Sequence, residues 1–177
     1  MTKAILINGG NSVESRLTGV ENYIAETLAR KGVEVETIQV HQLPADDLIL
    51  ANYASEAIAK EVAKVEAADI VVFLTPIYKG SYTGILKTFI DLLPQKALEG
   101  KQVFPVAIGG SIAHLLALEY SLKPVLSILG ATQVESPVYI VDLQVGRTAT
   151  GFELDVAASE RVDKVFEGVG EIEIVGV

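Results

Sequence analysis

Three short stretches of the sequence combine glycines with side chains that could hold a ligand. In the first, residues 8–18 (NGGNSVESRLT), two glycines precede Ser12, Ser15, Arg16 and Thr18. A glycine-rich loop that opens a helix presents free backbone N–H groups and the positive end of the helix dipole to an anion. The hydroxyls could donate hydrogen bonds to a phosphate, and Arg16 supplies a positive charge. These residues predict a phosphate site.

The same residues also have a purely structural interpretation. Ser15 could cap the helix, and Thr18 together with Glu21 fits a capping box. The loop contains neither Gly-x-Gly-x-x-Gly nor the Gly-Lys-Ser/Thr of a P-loop, so the fingerprints of dinucleotide and nucleoside-triphosphate sites are missing. Phosphate binding and ordinary helix capping remain as two interpretations of this loop.

The second stretch, TPIYKGSYTG at residues 75–84, lies between an apolar run and an apolar helix. Pro76 stiffens the turn, Tyr78 and Tyr82 offer ring faces or hydroxyls, and Lys79 is the cation of the loop. Glycines allow the backbone to approach a flat ligand closely. The alternative interpretation is that the tyrosines are half-buried edge residues and that the lysine is solvated.

The third stretch, IGGSIAH, again places two glycines, Gly109 and Gly110, at the end of an apolar run. Ser111 is expected to cap the next helix, and His114 lies one turn further, where it could face a ligand or pack as a polar residue. The chain has two histidines and no cysteine, so we expect no metal site.

Composition limits the classes of protein to consider. The chain has 177 residues, half of them apolar, and a formal net charge of −9. This length predicts one domain, residues 1–177, and the charge disfavours binding to nucleic acid or to anionic membranes. The start MTKAILINGG does not read as a secretory signal, and no apolar run approaches the roughly 18 residues of a membrane span. We therefore expect a cytoplasmic protein.

The elements that position the three stretches alternate between strand and helix. Strands are predicted at 4–8, 33–40, 69–74, 102–108 and 134–141, and helices at 16–31, 54–67, 83–93, 111–129 and 155–168. The order βαβαβαβαβα predicts an α/β fold, a three-layer doubly wound parallel sheet with helices on both faces. In such a fold the ligand lies beyond the carboxyl ends of the strands, which is where the three glycine-containing loops fall. A phosphate cradle beside two backbone-lined loops suits a flat ring with a phosphate tail, such as FMN.

Two blocks of sequence resemble a known family. TPIYKGSYTGILKTFIDLLPQKALEGK, which starts at residue 75, and PVAIGGSIAHLLALEYSLKPVLSILGA, which starts at residue 105, are similar to the NADPH-dependent FMN reductases of the alkanesulfonate-assimilation type. The close resemblance covers residues 69–131. It implies a flavodoxin-like sheet of five strands in the order 2-1-3-4-5, and an enzyme that reduces FMN with NADPH for a partner flavin-dependent monooxygenase.

The resemblance also implies which residues bind the cofactors. In the phosphate loop the matching residues are Gly9, Ser15, Arg16 and Thr18, whereas Gly10 and Ser12 depart from the family pattern, which usually has Ser and Arg there. Around the flavin ring the matching residues are Pro76, Ile77, Tyr78, Lys79, Tyr82, Thr83, Gly109, Gly110, Ser111 and His114. The departure at Ser12 removes one cationic phosphate contact and implies weaker flavin binding.

Helix 111–129 is expected to form an interface between subunits. Its charged residues are Glu119 and Lys123, so the helix is apolar on nearly all sides. One apolar face can pack on the sheet, and the remaining apolar surface is expected to pack against another subunit. Pro124 predicts a distortion of the helix just before it. In the family, the tyrosine matched by Tyr120 is associated with a π-bulge and contacts the flavin site of a neighbouring subunit. A homodimer or homotetramer is therefore expected.

The resemblance implies that hydride passes directly from NADPH to FMN, so no catalytic acid or base is expected. Tyr78, Gly110 and Ser111 would position the ring, and Lys79 or Arg16 would favour NADPH over NADH. Other functions stay open from sequence. They are an FMN-binding electron carrier, a flavoenzyme that reduces quinones, azo dyes or metal ions, and a non-catalytic assembly module.

Overall fold

The centre of the fold is a parallel sheet built from the apolar runs of the sequence. The computed structural model describes residues 1–170; residues 171–177, for which the sequence predicts no role, lie outside the described part. The strands are β1 (Lys3–Asn8), β2 (Glu34–Gln39), β3 (Ile70–Pro76), β4 (Gln102–Gly109), β5 (Gln133–Val134), β6 (Val138–Val141), β7 (Val145–Thr148) and β8 (Gly151–Leu154). The main sheet runs β2-β1-β3-β4-β5, and β6 also pairs with β4.

The fifth position of the sheet is shared by two short strands. Val134 of β5 pairs in parallel with Val103, near the start of β4, and Val138 of β6 pairs in parallel with Val106, further along it. The five-strand order 2-1-3-4-5 is therefore confirmed, but a continuous strand over 134–141 is wrong. Pro137 interrupts the strand because proline has no N–H to donate to a sheet.

Helices cover both faces of the sheet. They are α1 (Arg16–Arg30), α2 (Ala45–Ile49), α3 (Glu56–Ala67), α4 (Gly84–Ile90), α5 (Lys123–Ile128) and α6 (Val156–Phe166). Alternate residues of a strand point to opposite faces, so one core contains Ile5 and Phe73 with α3, α4 and α5, and the other contains Leu6 and Val72 with α1 and α6. The three-layer, doubly wound architecture is confirmed.

Within residues 1–170, no helix has both the length and the apolar character needed to cross a membrane.

The predicted helix 111–129 is three shorter helical segments. A 3-10 turn spans Ile112–His114, a π-helix spans Leu118–Leu122, and α5 follows. Pro124 stands at the start of α5 and has no N–H to donate to the turn before it, which is where the π-helix lies. The distortion predicted before Pro124 is thus confirmed, whereas a single continuous α-helix is wrong. Residues 111–129, for which the sequence predicts a subunit interface, are called the interface segment below.

An antiparallel hairpin, β7–β8, follows the main sheet and was not predicted. It packs on α1, where a Cβ added at Gly19 would come within 2.5 Å of the Phe152 Cβ. Val145 at the start of the hairpin is fully buried. The hairpin therefore covers the first turns of α1 and needs a glycine there to dock.

Candidate functional site

The three glycine-containing loops meet at the carboxyl edge of the sheet. The Gly9 N–H donates to the Leu74 carbonyl oxygen at 2.8 Å, and the Ile77 N–H donates to the Ile108 carbonyl oxygen at 2.9 Å. These bonds join the loop after β1 to β3, and the loop after β3 to β4. The structure therefore brings together the loops in which all the predicted site residues but Tyr120 lie, and Tyr120 follows the third loop along the chain.

A buried polar network holds the first loop from below. The Asn8 side chain accepts the Gly10 N–H at 2.7 Å and donates to the buried carboxylate of Glu21. Gln39 donates to the same carboxylate at 2.9 Å. The Gly10 N–H is therefore already hydrogen-bonded to the Asn8 side chain, and Glu21 faces the sheet rather than the helix terminus. The capping box of Thr18 and Glu21 does not form.

The hydroxyls at the start of α1 have no partner in the described structure. Ser15 occupies the N-cap position but its side chain makes no capping hydrogen bond. Its Oγ and the Oγ1 of Thr18 are both buried atoms without a hydrogen-bond partner among residues 1–170. Buried hydroxyls are nearly always satisfied in folded proteins, so these two fit a site that is completed by a ligand with acceptor oxygens.

A cavity of about 230 Å³ opens beside Ser15, whereas Thr18 does not line it. It is lined by Asn11, Ser15, Arg16, Leu17, Pro76, Tyr78, Ile108, Asp142 and Arg147. Four of the predicted site residues are in this set. Asp142 and Arg147 are not predicted from sequence. Asp142 precedes the hairpin and Arg147 lies in its first strand, and the hydrophobic pattern of the sequence does not reveal this hairpin.

Two arginines place positive charge at the cavity. The Arg16 Nε donates to the Val145 carbonyl oxygen at 2.9 Å, and the Arg147 Nη2 donates to the Glu14 carbonyl oxygen at 3.0 Å. Within residues 1–170, neither guanidinium forms an ion pair. Both are oriented by backbone carbonyls rather than by carboxylates. With Asp142 as the acidic residue of the lining, the two arginines leave a local excess of positive charge, which favours an anion.

The second loop is a tight turn whose first residue lines the cavity. Tyr78 and Ser81 exchange two backbone hydrogen bonds of 2.9 and 3.2 Å around Lys79 and Gly80. Lys79 has φ 52° and Gly80 has φ 77°, so both central residues are left-handed, and Lys79 is exposed at the tip. Tyr78 is half exposed, which leaves it accessible to a ligand in the cavity.

Thr83 connects the second loop to the first. Its hydroxyl accepts the Leu86 N–H at 3.1 Å, as the N-cap of α4, and donates to the Gly9 carbonyl oxygen at 2.7 Å. Its own N–H donates to Thr75 Oγ1 at 3.0 Å. Since the side chain is fully buried, Thr83 positions the loops from inside the protein. The predicted site residues Ile77 and Tyr82 pack, partly buried, against the core beneath.

The third loop is held by Tyr139, which the sequence does not single out. Its hydroxyl donates to the Ser111 carbonyl oxygen at 2.7 Å, and a Cβ at Gly109 would collide with that hydroxyl. Burial, and secondarily the negative charge of Asp142, raises the pKa of Tyr139 above its ordinary value of 10.0. Gly110 is different from Gly109, since an added Cβ would find its nearest neighbour 3.7 Å away. Gly109 is therefore required by packing, whereas Gly110 leaves open space at the edge of the site.

The segment after this loop is exposed and apolar. The Ser111 hydroxyl accepts the Ala113 N–H at 3.2 Å and so begins the 3-10 turn, in which His114 is exposed. Large apolar side chains face solvent along the interface segment, namely Ile112, Leu115, Leu116, Tyr120 and Ile128. Tyr120 is 75% exposed and lies on the π-helix. Among residues 1–170, no group of three or more His, Asp or Glu side chains is placed to hold a metal ion.

The sheet order, the two helical layers and a cavity at the carboxyl edge define a flavodoxin-like α/β protein. The family profile of NADPH-dependent FMN reductase matches residues 2–146. A Pseudomonas putida protein named FMN reductase (NADPH) is 43% identical over 141 residues, which are 80% of this chain and 72% of that protein. An Escherichia coli protein of the same name is 40% identical over 143 residues, which are 81% and 75% of the two chains.

Solved structures agree with the sequence comparison. The apo form of an NADH:FMN oxidoreductase (EMOB) superimposes with a TM-score of 0.81 at 32% identity, and the match covers 94% of this chain and 87% of that one. The chain belongs to the NADPH-dependent FMN reductase family. It is an NAD(P)H-dependent oxidoreductase that reduces FMN.

Proposed function

We propose that FMN binds at the carboxyl edge of the sheet, with its phosphate in the cavity beside α1 and its ring between the second and third loops. The observation that carries this proposal is the buried, unpartnered hydroxyl of Ser15, which lines the cavity together with Arg16. The hydroxyl of Thr18, three residues further along the chain, is also buried and unpartnered. A phosphate supplies the acceptor oxygens that these hydroxyls lack and the negative charge that complements Arg16. Gly9 belongs to this site as a backbone element that packs under Thr83.

The ring is proposed to lie against Tyr78 and Gly110. Tyr78 lines the cavity, and Gly110 leaves the space into which a side chain would otherwise project. The N–H groups of Gly110 and Ser111 are the candidate donors to the edge of the flavin that gains negative charge on reduction. The third loop can hold these donors in place because the Ser111 carbonyl oxygen accepts a hydrogen bond from the Tyr139 hydroxyl.

The two substrates supply the redox chemistry, since NADPH donates a hydride and the flavin accepts it. The protein's task is to hold the nicotinamide and the ring at reacting distance and in the right orientation. We therefore assign no side chain as a catalytic acid or base. Lys79, exposed at the tip of the second loop, is proposed to favour NADPH over NADH, with Arg16 as the other candidate.

Reduced FMN is proposed to leave the enzyme and to serve a flavin-dependent monooxygenase, with sulfonate assimilation as its setting. This part of the proposal rests on the resemblance of residues 69–131 to reductases of that type.

The interface segment is proposed to join two or four copies of the chain, because it exposes a row of large apolar side chains to solvent. Tyr120 and His114 on this segment would then lie close to a neighbouring subunit.

Oxidation of NADPH by the purified protein, with and without added FMN, tests the proposal. Oxidation that depends on added FMN and saturates with it is the expected result, since FMN is then a substrate. Oxidation without added flavin by a yellow protein would show a bound prosthetic group, and acceptors such as quinones, azo dyes or metal ions would take the place of FMN. Bound FMN without any NADPH oxidation would contradict the reductase function and favour an electron carrier.

A further inference from the structure

The β7–β8 hairpin brings a charged side chain to the start of α1 from a distant part of the sequence. Phe152 packs on Gly19, and the carbonyl of Val145 receives the Arg16 Nε. These contacts fix the hairpin against the same helix whose N-terminus carries the unpartnered hydroxyls. Arg147, the third residue of β7, thereby comes to line the cavity.

Arg147 is held in place without being neutralised. Its guanidinium carbon lies 5.2 Å from the centroid of the Phe152 ring, and its Nη2 donates to the Glu14 carbonyl oxygen at 3.0 Å. A ring face and a carbonyl both orient an arginine while leaving its charge and most of its N–H groups available. Asp142 is the acidic side chain that shares the cavity, and it forms no ion pair with Arg147 among the described residues.

The charge of the ligand explains why one arginine is insufficient. A phosphate monoester carries about −1.5 to −2 charges at neutral pH. Arg16 supplies one positive charge and has already given its Nε to Val145. In a chain with a net charge of −9 that also places Asp142 at the cavity, a second local cation is needed to offset the ligand's charge.

We propose that Arg147 is the second cation of the phosphate site. It binds the 5′-phosphate of FMN together with Arg16, and it thereby makes the enzyme prefer FMN to riboflavin. This inference rests on the proposed FMN site and adds a binding residue to it from outside the three glycine-containing loops. The planar guanidinium can donate two parallel N–H bonds to phosphate oxygens, which is the strongest form of charge-assisted hydrogen bond.

Flavin binding by Arg147 variants tests the assignment, with FMN and riboflavin titrated against the whole chain by fluorescence quenching. Arg147→Gln, which removes the charge but keeps an amide donor for Glu14, is expected to weaken FMN binding by about tenfold, with no change for riboflavin. Arg147→Lys should retain most of the FMN affinity, because it restores the charge. Arg30→Gln is the matched control, since Arg30 bonds to Thr27 in the last turn of α1, at the opposite end of that helix.

Three outcomes would overturn the assignment. Equal weakening of FMN and riboflavin would show that Arg147 only supports the hairpin. Unchanged FMN binding, with a KM that rises for NADPH and not for NADH, would assign Arg147 to the 2′-phosphate of the nucleotide. If the unmodified protein bound riboflavin as tightly as FMN, the phosphate site itself would be wrong, which separates failure of the proposed function from failure of Arg147 alone.

Discussion

The hydroxyl of Thr83 donates a 2.7 Å hydrogen bond to the carbonyl oxygen of Gly9. This bond connects the loop that precedes α4 to the loop that precedes α1, across the carboxyl edge of the sheet. Gly9 is closely packed at this point, because a Cβ there would lie 2.5 Å from the Leu86 Cβ. The proposed phosphate loop and the proposed ring loop are thus joined by one buried contact.

Thr83→Val is expected to affect both folding and flavin binding. Valine keeps the shape but removes the cap of α4 and leaves the Gly9 carbonyl without its donor, so the free energy of unfolding should fall by about 2 kcal/mol. The KM for FMN should rise because the loops are no longer joined. Urea denaturation and FMN titration measure the two effects. Thr83→Ser keeps the hydroxyl and is the control; a Val variant that matches it in both measurements would refute the role of this bond.

Gly110→Val should impair flavin use while leaving the fold intact. The protein offers room for the new side chain, since the nearest atom to an added Cβ is Asp142 Oδ2 at 3.7 Å. Overlap with the ring should raise the KM for FMN by about tenfold. Tyr78→Ala should also weaken flavin use, through lost contact with the ring. Gly168→Val is the control, at a position that is likewise open. Unchanged FMN affinity and turnover in both Gly110→Val and Tyr78→Ala would show that the ring binds elsewhere.

Tyr139→Phe tests the support of the third loop. Loss of the hydrogen bond to the Ser111 carbonyl should lower the free energy of unfolding by about 1 kcal/mol at neutral pH and raise the KM for FMN. Because the folded-state pKa of Tyr139 is raised, its contribution is fully present below pH 10 and is lost as the pH rises through the folded-state value. The stability difference between the two proteins should therefore shrink in urea titrations above pH 10.

Tyr53→Phe is the control for this variant. Tyr53 donates to the Asp91 carbonyl oxygen at 2.9 Å, outside the three loops, so flavin kinetics should be unchanged. A Tyr139→Phe protein with the FMN kinetics of the Tyr53→Phe protein would separate Tyr139 from the site.

Lys79→Asn should reduce the preference for NADPH. Asparagine tolerates the left-handed backbone that Lys79 adopts, at φ 52°, so the substitution removes the charge with little strain. An exposed charge contact is worth about 0.2–1 kcal/mol, and the KM for NADPH should rise by about threefold while that for NADH stays constant. Lys96→Asn, another exposed lysine, is the control. An unchanged ratio of kcat/KM for the two nucleotides would remove Lys79 from the proposal.

Charged substitutions in the interface segment should separate the subunits. Ile128 is 79% exposed and Leu116 is 54% exposed, so glutamate at either position would not disturb the fold of one chain but would oppose burial against a second. Light scattering should show a smaller particle for Leu116→Glu and Ile128→Glu than for the unmodified protein. Val156→Glu, at an equally exposed position on α6, should leave the mass unchanged. A monomeric unmodified protein would contradict the proposed assembly.

Patterns local in sequence predict much of this fold. The alternation of apolar runs with helical periodicity predicts the layers, and glycines after β1 and β4 predict which loops reach the site. Pro124 predicts a distortion of the helix just before it, because the missing N–H acts within one turn of the chain, and the structure has a π-helix there. Pro137 breaks the last strand for the same local reason, but the strand predicted over 134–141 does not take it into account.

Contacts between distant residues could not be predicted in this way. Arg147 comes to the cavity on a hairpin that docks through Phe152 on Gly19. The strands of that hairpin are four residues long and largely exposed, so the alternation of Phe152 and Leu154 is too short to predict a strand. The Asn8–Glu21 contact likewise joins a strand end to the inner face of a helix. Side chains whose function depends on such tertiary docking leave no signal in spacing or composition.

A crystal structure of the chain with FMN would measure the position of the ligand directly. The expected result is a phosphate in contact with Ser15, Thr18 and Arg16, and a ring beside Tyr78 and Gly110. Flavin density at any other part of the surface, with the cavity beside α1 free of phosphate, would contradict the proposed site.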